Sequence, residues 1–157
     1  MKVIVIDTKS ERADKRSAEL FERYFKEETG LDVRYDELSR NDMGKPEAVD
    51  GFYFNISHSK NYWCLGVHDS EIGVDIEKKR PINERMGRRV LAPGEEALEG
   101  DLLNTWVIKE AYAKMLGSGL RLDFRSISVD EITKRCHLVD YSTKDYICFA
   151  IYRDKNK

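Results

Sequence analysis

Cysteine is scarce here. Cys64, Cys136 and Cys148 are the only three in 157 residues. Odd in number, widely spaced and without a Cys-x-x-Cys pair, they exclude a disulfide framework and a thiolate zinc site. They read as reduced thiols of a cytosolic protein. Charge of one sign is lacking too: 27 Lys and Arg against 29 Asp and Glu leave a net charge of −2. That balance lacks the basic excess of a nucleic-acid-binding domain, so any anion site must be built from local charge. Long apolar runs are missing as well. Val3–Ile6 is too short for a signal peptide and stops at Asp7, and no stretch is long enough to span a membrane. A soluble, cytoplasmic chain is expected. No Gly-x-Ser-x-Gly pattern surrounds Ser57, which removes the nucleophile-elbow hydrolases. There is no exact internal repeat and no low-complexity tract.

What the chain does have is 41% hydrophobic and 36% charged residues, enough for a core and against disorder. Its length suits one domain, or two small halves sharing a core. The β-branched run Val3–Ile6 predicts a strand. From Ser10 to Thr29, Ala18, Leu20, Phe21, Tyr24 and Phe25 fall at helical spacing, with Gly30 as the stop. Leu31–Tyr35 reads as another strand and 41–50 as a loop around Gly44-Lys45-Pro46. Phe52–Ile56, Tyr62–His68 and Ile72–Ile76 read as three successive strands. Residues 81–100 suggest short helices, and Leu102–Leu116 is the clearest helix, closed by Gly117-Ser118-Gly119. Ile127–Ile132, Cys136–Tyr141 and Tyr146–Tyr152 read as a closing antiparallel meander. Strands in clusters flanking helices indicate an α+β fold rather than alternating βαβ units.

Three segments carry candidate chemistry. In "FNISHS", residues 54–59, a strand-like start ends in Ser57, His58 and Ser59. Such polar residues continue a β-ladder poorly and place donors well at the mouth of a site. Ser57 and His58 face opposite ways on a strand, so they cannot act as a nucleophile–base pair with each other. At a strand end, Ser57, His58 and Lys60 can donate to phosphate oxygens, although a lone histidine is more often structural. In "GVDIE", residues 73–77, strand alternation puts Asp75 and Glu77 on one face, roughly 6.6 Å apart, with Val74 and Ile76 turned into the core. Neighbouring carboxylates repel unless a cation lies between them; an ordinary solvent face is the plainer reading. In "WVIKEAYAK", residues 106–114, Trp106, Glu110 and Lys114 form one helical row, which alone suggests a surface ion pair beside a core tryptophan. A third carboxylate within reach of Asp75 and Glu77 would change that reading. Mg²⁺ takes oxygen ligands and leaves positions for water and phosphate, and a lysine one turn on suits a pyrophosphate.

"GKP…FNISHS", "GVDIE" and "WVIKEAYAK", in this order, resemble the signature motifs of the Sfp-type 4′-phosphopantetheinyl transferases. The resemblance runs from about Gly44 to about Val129, including "GSGL" after the helix. Holo-acyl-carrier-protein synthases share the Asp and Lys-Glu elements, but their aspartate motif lies close to the N-terminus, whereas here more than 70 residues precede it. The resemblance implies transfer of phosphopantetheine from coenzyme A to a serine of an apo acyl or peptidyl carrier protein, with adenosine 3′,5′-bisphosphate released. It implies Mg²⁺, or Mn²⁺ in its place, held by Asp75, Glu77 and Glu110. Glu110 would also be the base and Lys114 the group that stabilises phosphate charge. Lys45, Ser57, His58 and Lys114 would bind coenzyme A, His58 at the 3′-phosphate, while Lys109 ranks lower because it points about 100° from Glu110 on the helix.

The implied fold is an α+β pseudo-dimer of two small halves, 1–50 and 51–157, with the N-terminal half trimmed. It lacks the arginine-rich stretch that precedes the first long helix, so Arg23 or Arg16 is left to supply a phosphate contact. Arg85, Arg88 and Arg89, spaced i, i+3, i+4 after Lys78-Lys79-Arg80, would form a basic face for docking an acidic carrier helix, against the plainer reading of a solvated face. A monomer is expected, with self-association open to a shortened half. The alternative function is a coenzyme A- or carrier-binding protein that has lost turnover.

Overall fold

The computed structural model describes residues 1–97, 101–118 and 121–155. Its first sheet contains β1 (Lys2–Asp7), β2 (Tyr53–Ser59) and β3 (Tyr62–His68) in the order β1-β3-β2, with both pairings antiparallel. Side chains alternate across β3. Trp63, Leu65 and Val67 join Phe54 against Leu20, Phe21 and Phe25 of helix α1 (Ser17–Thr29), whereas Tyr62 and Cys64 face the other way. A 3₁₀ turn at Ala13–Arg16 leads into α1. Gly30, at φ +77° in the left-handed region, ends it, a conformation open to glycine without steric cost.

The second sheet contains β4 (Ile72–Lys78), β5 (His137–Asp140) and β6 (Tyr146–Tyr152) in the order β4-β6-β5, again antiparallel. Ile72, Val74, Ile76, Cys148 and Ala150 pack against Tyr62 and Cys64 of the first sheet. The opposite face of β6, Ile147, Phe149 and Ile151, packs on Val107, Ile108, Ala111 and Met115 of helix α3 (Leu102–Leu116). The layers therefore run helix, sheet, sheet, helix, an α+β fold of two similar halves back to back. Helix α2 (Glu84–Val90) precedes α3, and α4 (Val129–Arg135) follows it. Among the described residues no helix is long and apolar enough to cross a membrane.

Two expected strands are absent. Residues 31–34 are irregular and Tyr35 opens a 3₁₀ turn, Tyr35–Glu37; Leu31, Val33 and Tyr35 lie on the core around α1, so their alternation reflects a loop laid on an apolar surface, with the Tyr35 amide held by Glu22. The segment read as Ile127–Ile132 becomes the start of α4. Ser128 accepts from the Glu131 amide while the Glu131 side chain returns to the Ser128 amide, a reciprocal cap that nucleates a helix despite the β-branched residues around it. β2 also runs further than expected, through Ser57, His58 and Ser59. The sheets part between His68 and Ile72; a division at residue 50 separates β1 and α1 from the β2 and β3 strands packed with them. Gly119 and Leu120 of the "GSGL" segment, and Gly100, lie outside the described residues.

Candidate active site

Glycine at position 73 brings the two acidic segments together. A Cβ there would stand 1.9 Å from the Ala111 carbonyl oxygen and 2.5 Å from the Met115 amide, so only glycine admits the α3 backbone so close to β4. Asp75 and Glu77 leave β4 on the same face as Gly73. Asp75 thereby meets the α3 row: Lys114 Nζ lies 2.5 Å from Asp75 Oδ1. Ser57 completes a triangle, its Oγ accepting from Lys114 Nζ at 2.9 Å and donating to Asp75 Oδ1 at 2.9 Å.

Burial raises Glu110 from the ordinary carboxylate range to about 7, with the Asp75 charge next in effect and Glu77 adding to it, while Lys114 opposes. Burial and Asp75 also push Glu77 upward. The three carboxylates thus share one electrostatic neighbourhood with the Lys114 ammonium, and Arg80 also stands 3.8 Å from Glu77. Among the described residues no three His, Cys, Asp or Glu side chains close into a ready-made metal cage. Asp75 Oδ2, however, is buried without a hydrogen-bond partner, a state that costs about 1–3 kcal/mol or more for an acceptor. An all-carboxylate donor set with an unpartnered buried oxygen fits a hard divalent cation.

The other expected site residues are spread around this centre. Lys45 is half-buried and donates to the Met115 carbonyl oxygen at 2.6 Å, capping the end of α3; burial lowers its pKa. His58 is exposed and, by alternation, lies on the opposite face of β2 from Ser57. Arg85, Arg88 and Arg89 are exposed on α2. Arg89 also borders a cavity of about 460 Å³ with Trp106, Glu110, Leu122, Phe124 and Arg125, so one end of that basic face reaches the opening at Glu110. Arg16 and Arg23 pair with Glu19 and Glu27 on the surface of α1.

Residues 71–155, the whole of the second sheet with its helices, match the model of the 4′-phosphopantetheinyl transferase superfamily. The chain belongs to this superfamily. Among curated transferases it is similar to 4′-phosphopantetheinyl transferase ffp of Bacillus subtilis, 37% identical over a 113-residue alignment, with 62% of this chain and 47% of that protein covered. It is 34% identical over 110 residues to 4′-phosphopantetheinyl transferase Sfp of Bacillus subtilis strain 168, covering 62% of this chain and 47% of that one. To 4′-phosphopantetheinyl transferase HetI of Nostoc it is 33% identical over 102 residues, covering 56% and 43%. The chain spans about half the length of the curated relatives it matches.

Lys109, ranked low from its direction on the helix, is the principal residue that sequence reasoning passed over in this transferase-family chain. It is fully buried and donates to the Val90 and Phe124 carbonyl oxygens at 2.6 and 2.8 Å and to Glu95 Oε2 at 2.5 Å. Glu95 in turn accepts from the amides of Ala92 and Val129. One ion pair thus ties the end of α2, the segment after it, the 124 turn and the start of α4 to α3. The available signal was a lysine on the face of α3 that buries Thr105 and Ala113, with no clue to its partner.

The raised Glu110 makes a stability prediction. Its folded pKa lies above the unfolded value, so folding favours its protonated form. Stability falls as pH rises from about 4.5 through about 7 and stays reduced above that. Glu110→Gln removes this titration. In metal-free buffer the variant should match the wild type near pH 4.5 and exceed it at pH 8 by about 1 kcal/mol after allowance for screening of a half-exposed group, or roughly 2–4 °C in Tm. Thermal melts across that range check it; a pH-independent difference would contradict the stated cause.

Proposed function

We propose that this chain transfers the 4′-phosphopantetheine group of coenzyme A to a serine of an apo acyl or peptidyl carrier protein in the cytoplasm. The observation that carries this reading is the meeting of Asp75, Glu110 and Lys114, from a strand and a distant helix, beside the cavity that Glu110 borders. In the transfer, the carrier serine Oγ attacks the pantetheine-side phosphorus, the bond to the bridging pyrophosphate oxygen breaks, and adenosine 3′,5′-bisphosphate leaves. Glu110, half-buried at the cavity wall, accepts the serine proton, directly or through water. Lys114 stands with Ser57 on Asp75 and is placed to neutralise charge growing on the phosphates. Asp75, Glu77 and Glu110 would hold Mg²⁺, or Mn²⁺. Bound there, the ion would neutralise pyrophosphate charge and orient the phosphates.

Lys45 and His58 are assigned to the nucleotide end of coenzyme A. Lys45 is then a cap on α3 that exchanges its carbonyl partner for a phosphate. Ser57 is held by three groups of the chain, the Asp75 carboxylate, the Lys114 ammonium and the Ile76 amide, which supports a role through Lys114 as well as on the ligand. The protein works as a monomer in this reading. Incubating an apo carrier protein with coenzyme A, Mg²⁺ and this chain tests it by mass spectrometry. The expected result is a gain of one phosphopantetheine per carrier. Coenzyme A binding without that gain would select a binding protein instead.

The basic face of α2 is assigned to the carrier's acidic helix by charge complementarity. Arg85→Glu with Arg88→Glu should raise KM for the carrier about tenfold or more, while KM for coenzyme A stays within about twofold, an effect that weakens with added salt. Equal changes in both KM values would remove this assignment.

A further inference from the structure

Asn55, Ser57 and Ser59 share one face of β2, and each meets β4 nineteen residues further along the chain. Asn55 Oδ1 accepts from the Val74 amide at 2.9 Å, Ser57 Oγ from the Ile76 amide at 3.2 Å, and Ser59 Oγ from the Lys78 amide at 3.0 Å. β4 is an edge strand whose backbone pairs only with β6. Its outward amides would go unpaired inside the molecule without these side chains. The polar residues of β2 therefore act as a ladder joining the two sheets.

The two serines do something more. A hydroxyl has one proton to give, and each serine gives it to the carboxylate one residue before the amide it accepts from. Ser57 donates to Asp75 Oδ1 at 2.9 Å and Ser59 to Glu77 Oε2 at 3.1 Å. Lys114 reinforces the first contact on the same oxygen, Oδ1. Arg80 approaches the same Oε2 of Glu77, at 3.8 Å. In both carboxylates these contacts fall on one oxygen, and for Asp75 the other, Oδ2, is buried without a hydrogen-bond partner.

From this repeat we infer that Ser59 is a positioning residue: it anchors Glu77 Oε2 so that Oε1 is the oxygen offered to a divalent cation, as Ser57 does for Asp75. The assignment rests on the proposed cation site. Hydrogen bonds to the far oxygen of a ligating carboxylate fix its direction and typically change metal affinity about 10–100-fold. Asn55 belongs to the same ladder and touches no carboxylate, so it separates anchoring of Glu77 from general loosening of the sheet contact.

The test uses Mn²⁺ alone as the probe, with free ion counted by electron paramagnetic resonance in the absence of coenzyme A. Ser59→Ala should weaken Mn²⁺ binding about tenfold or more, while Ser59→Thr, which keeps the hydroxyl, and Asn55→Ser should stay within about threefold of the wild type. Excess Mn²⁺ should then return the turnover of Ser59→Ala towards the wild-type value. Should the alanine variant fail to fold, Ser59→Cys, with its weaker donor, should show the same loss. Wild-type affinity in Ser59→Ala, or an equal loss in Asn55→Ser, overturns the assignment while leaving the transferase reading intact. A wild-type chain that neither binds Mn²⁺ nor modifies a carrier overturns both.

Discussion

Glu110→Gln is expected to lower the rate of phosphopantetheine transfer about 10²–10⁴-fold, the range for loss of a positioned general base. Glutamine keeps the shape of the side chain and cannot take the serine proton. It also removes one of the three carboxylates assigned to the cation, so the lower figure is the minimum. The same change should make the metal-free protein more stable above neutral pH, because burial and Asp75 disfavour the ionised carboxylate. Activity and stability should therefore move in opposite directions, which separates a lost catalytic group from a damaged fold. Single-turnover transfer to an apo carrier, with thermal melts of the same preparation, checks both. A rate within about tenfold of the wild type would mean that another group takes the proton.

Lys109→Ala should destabilise the protein by about 3–5 kcal/mol, because it strands a buried carboxylate at Glu95. The expected fall in Tm is roughly 6–20 °C. The more telling variant is the double change Lys109→Met with Glu95→Leu. Replacing an isolated buried ion pair by apolar residues is often neutral or stabilising. Here the pair also satisfies the carbonyls of Val90 and Phe124 and the amides of Ala92 and Val129. Four backbone groups would lose their partners, at about 1–3 kcal/mol each where they stay dry. The double variant should therefore remain destabilised in urea denaturation. Full recovery would show that water reaches those groups once the ion pair is gone.

The residues of "GVDIE" and "WVIKEAYAK" were readable as candidate chemistry because alternation and helical spacing are local properties. So were the extents of α3, β3 and β6, which match the expected bounds of Leu102–Leu116, Tyr62–His68 and Tyr146–Tyr152. In "FNISHS" the polar residues continue β2 instead of ending it, and Ser57 and Ser59 accept from amides on the edge of β4, a partner that spacing along one strand could not show. Ser128-Val-Asp-Glu131 carried its own helix-start signal, outweighed by the β-branched residues at 127, 129 and 132.

Spacing over a dozen residues was enough to say which side chains carry ionisable or ligating groups and on which face of its own strand or helix each lies. Who meets whom followed from packing alone: Gly73 admitting α3, Ser57 between Asp75 and Lys114, and Glu95 under Lys109. Those pairings span 14 to 57 positions along the chain, and they depend on how two sheets and their helices pack. A side chain's partner across such a gap is set by the shape and dryness of the space between elements, which no local pattern encodes.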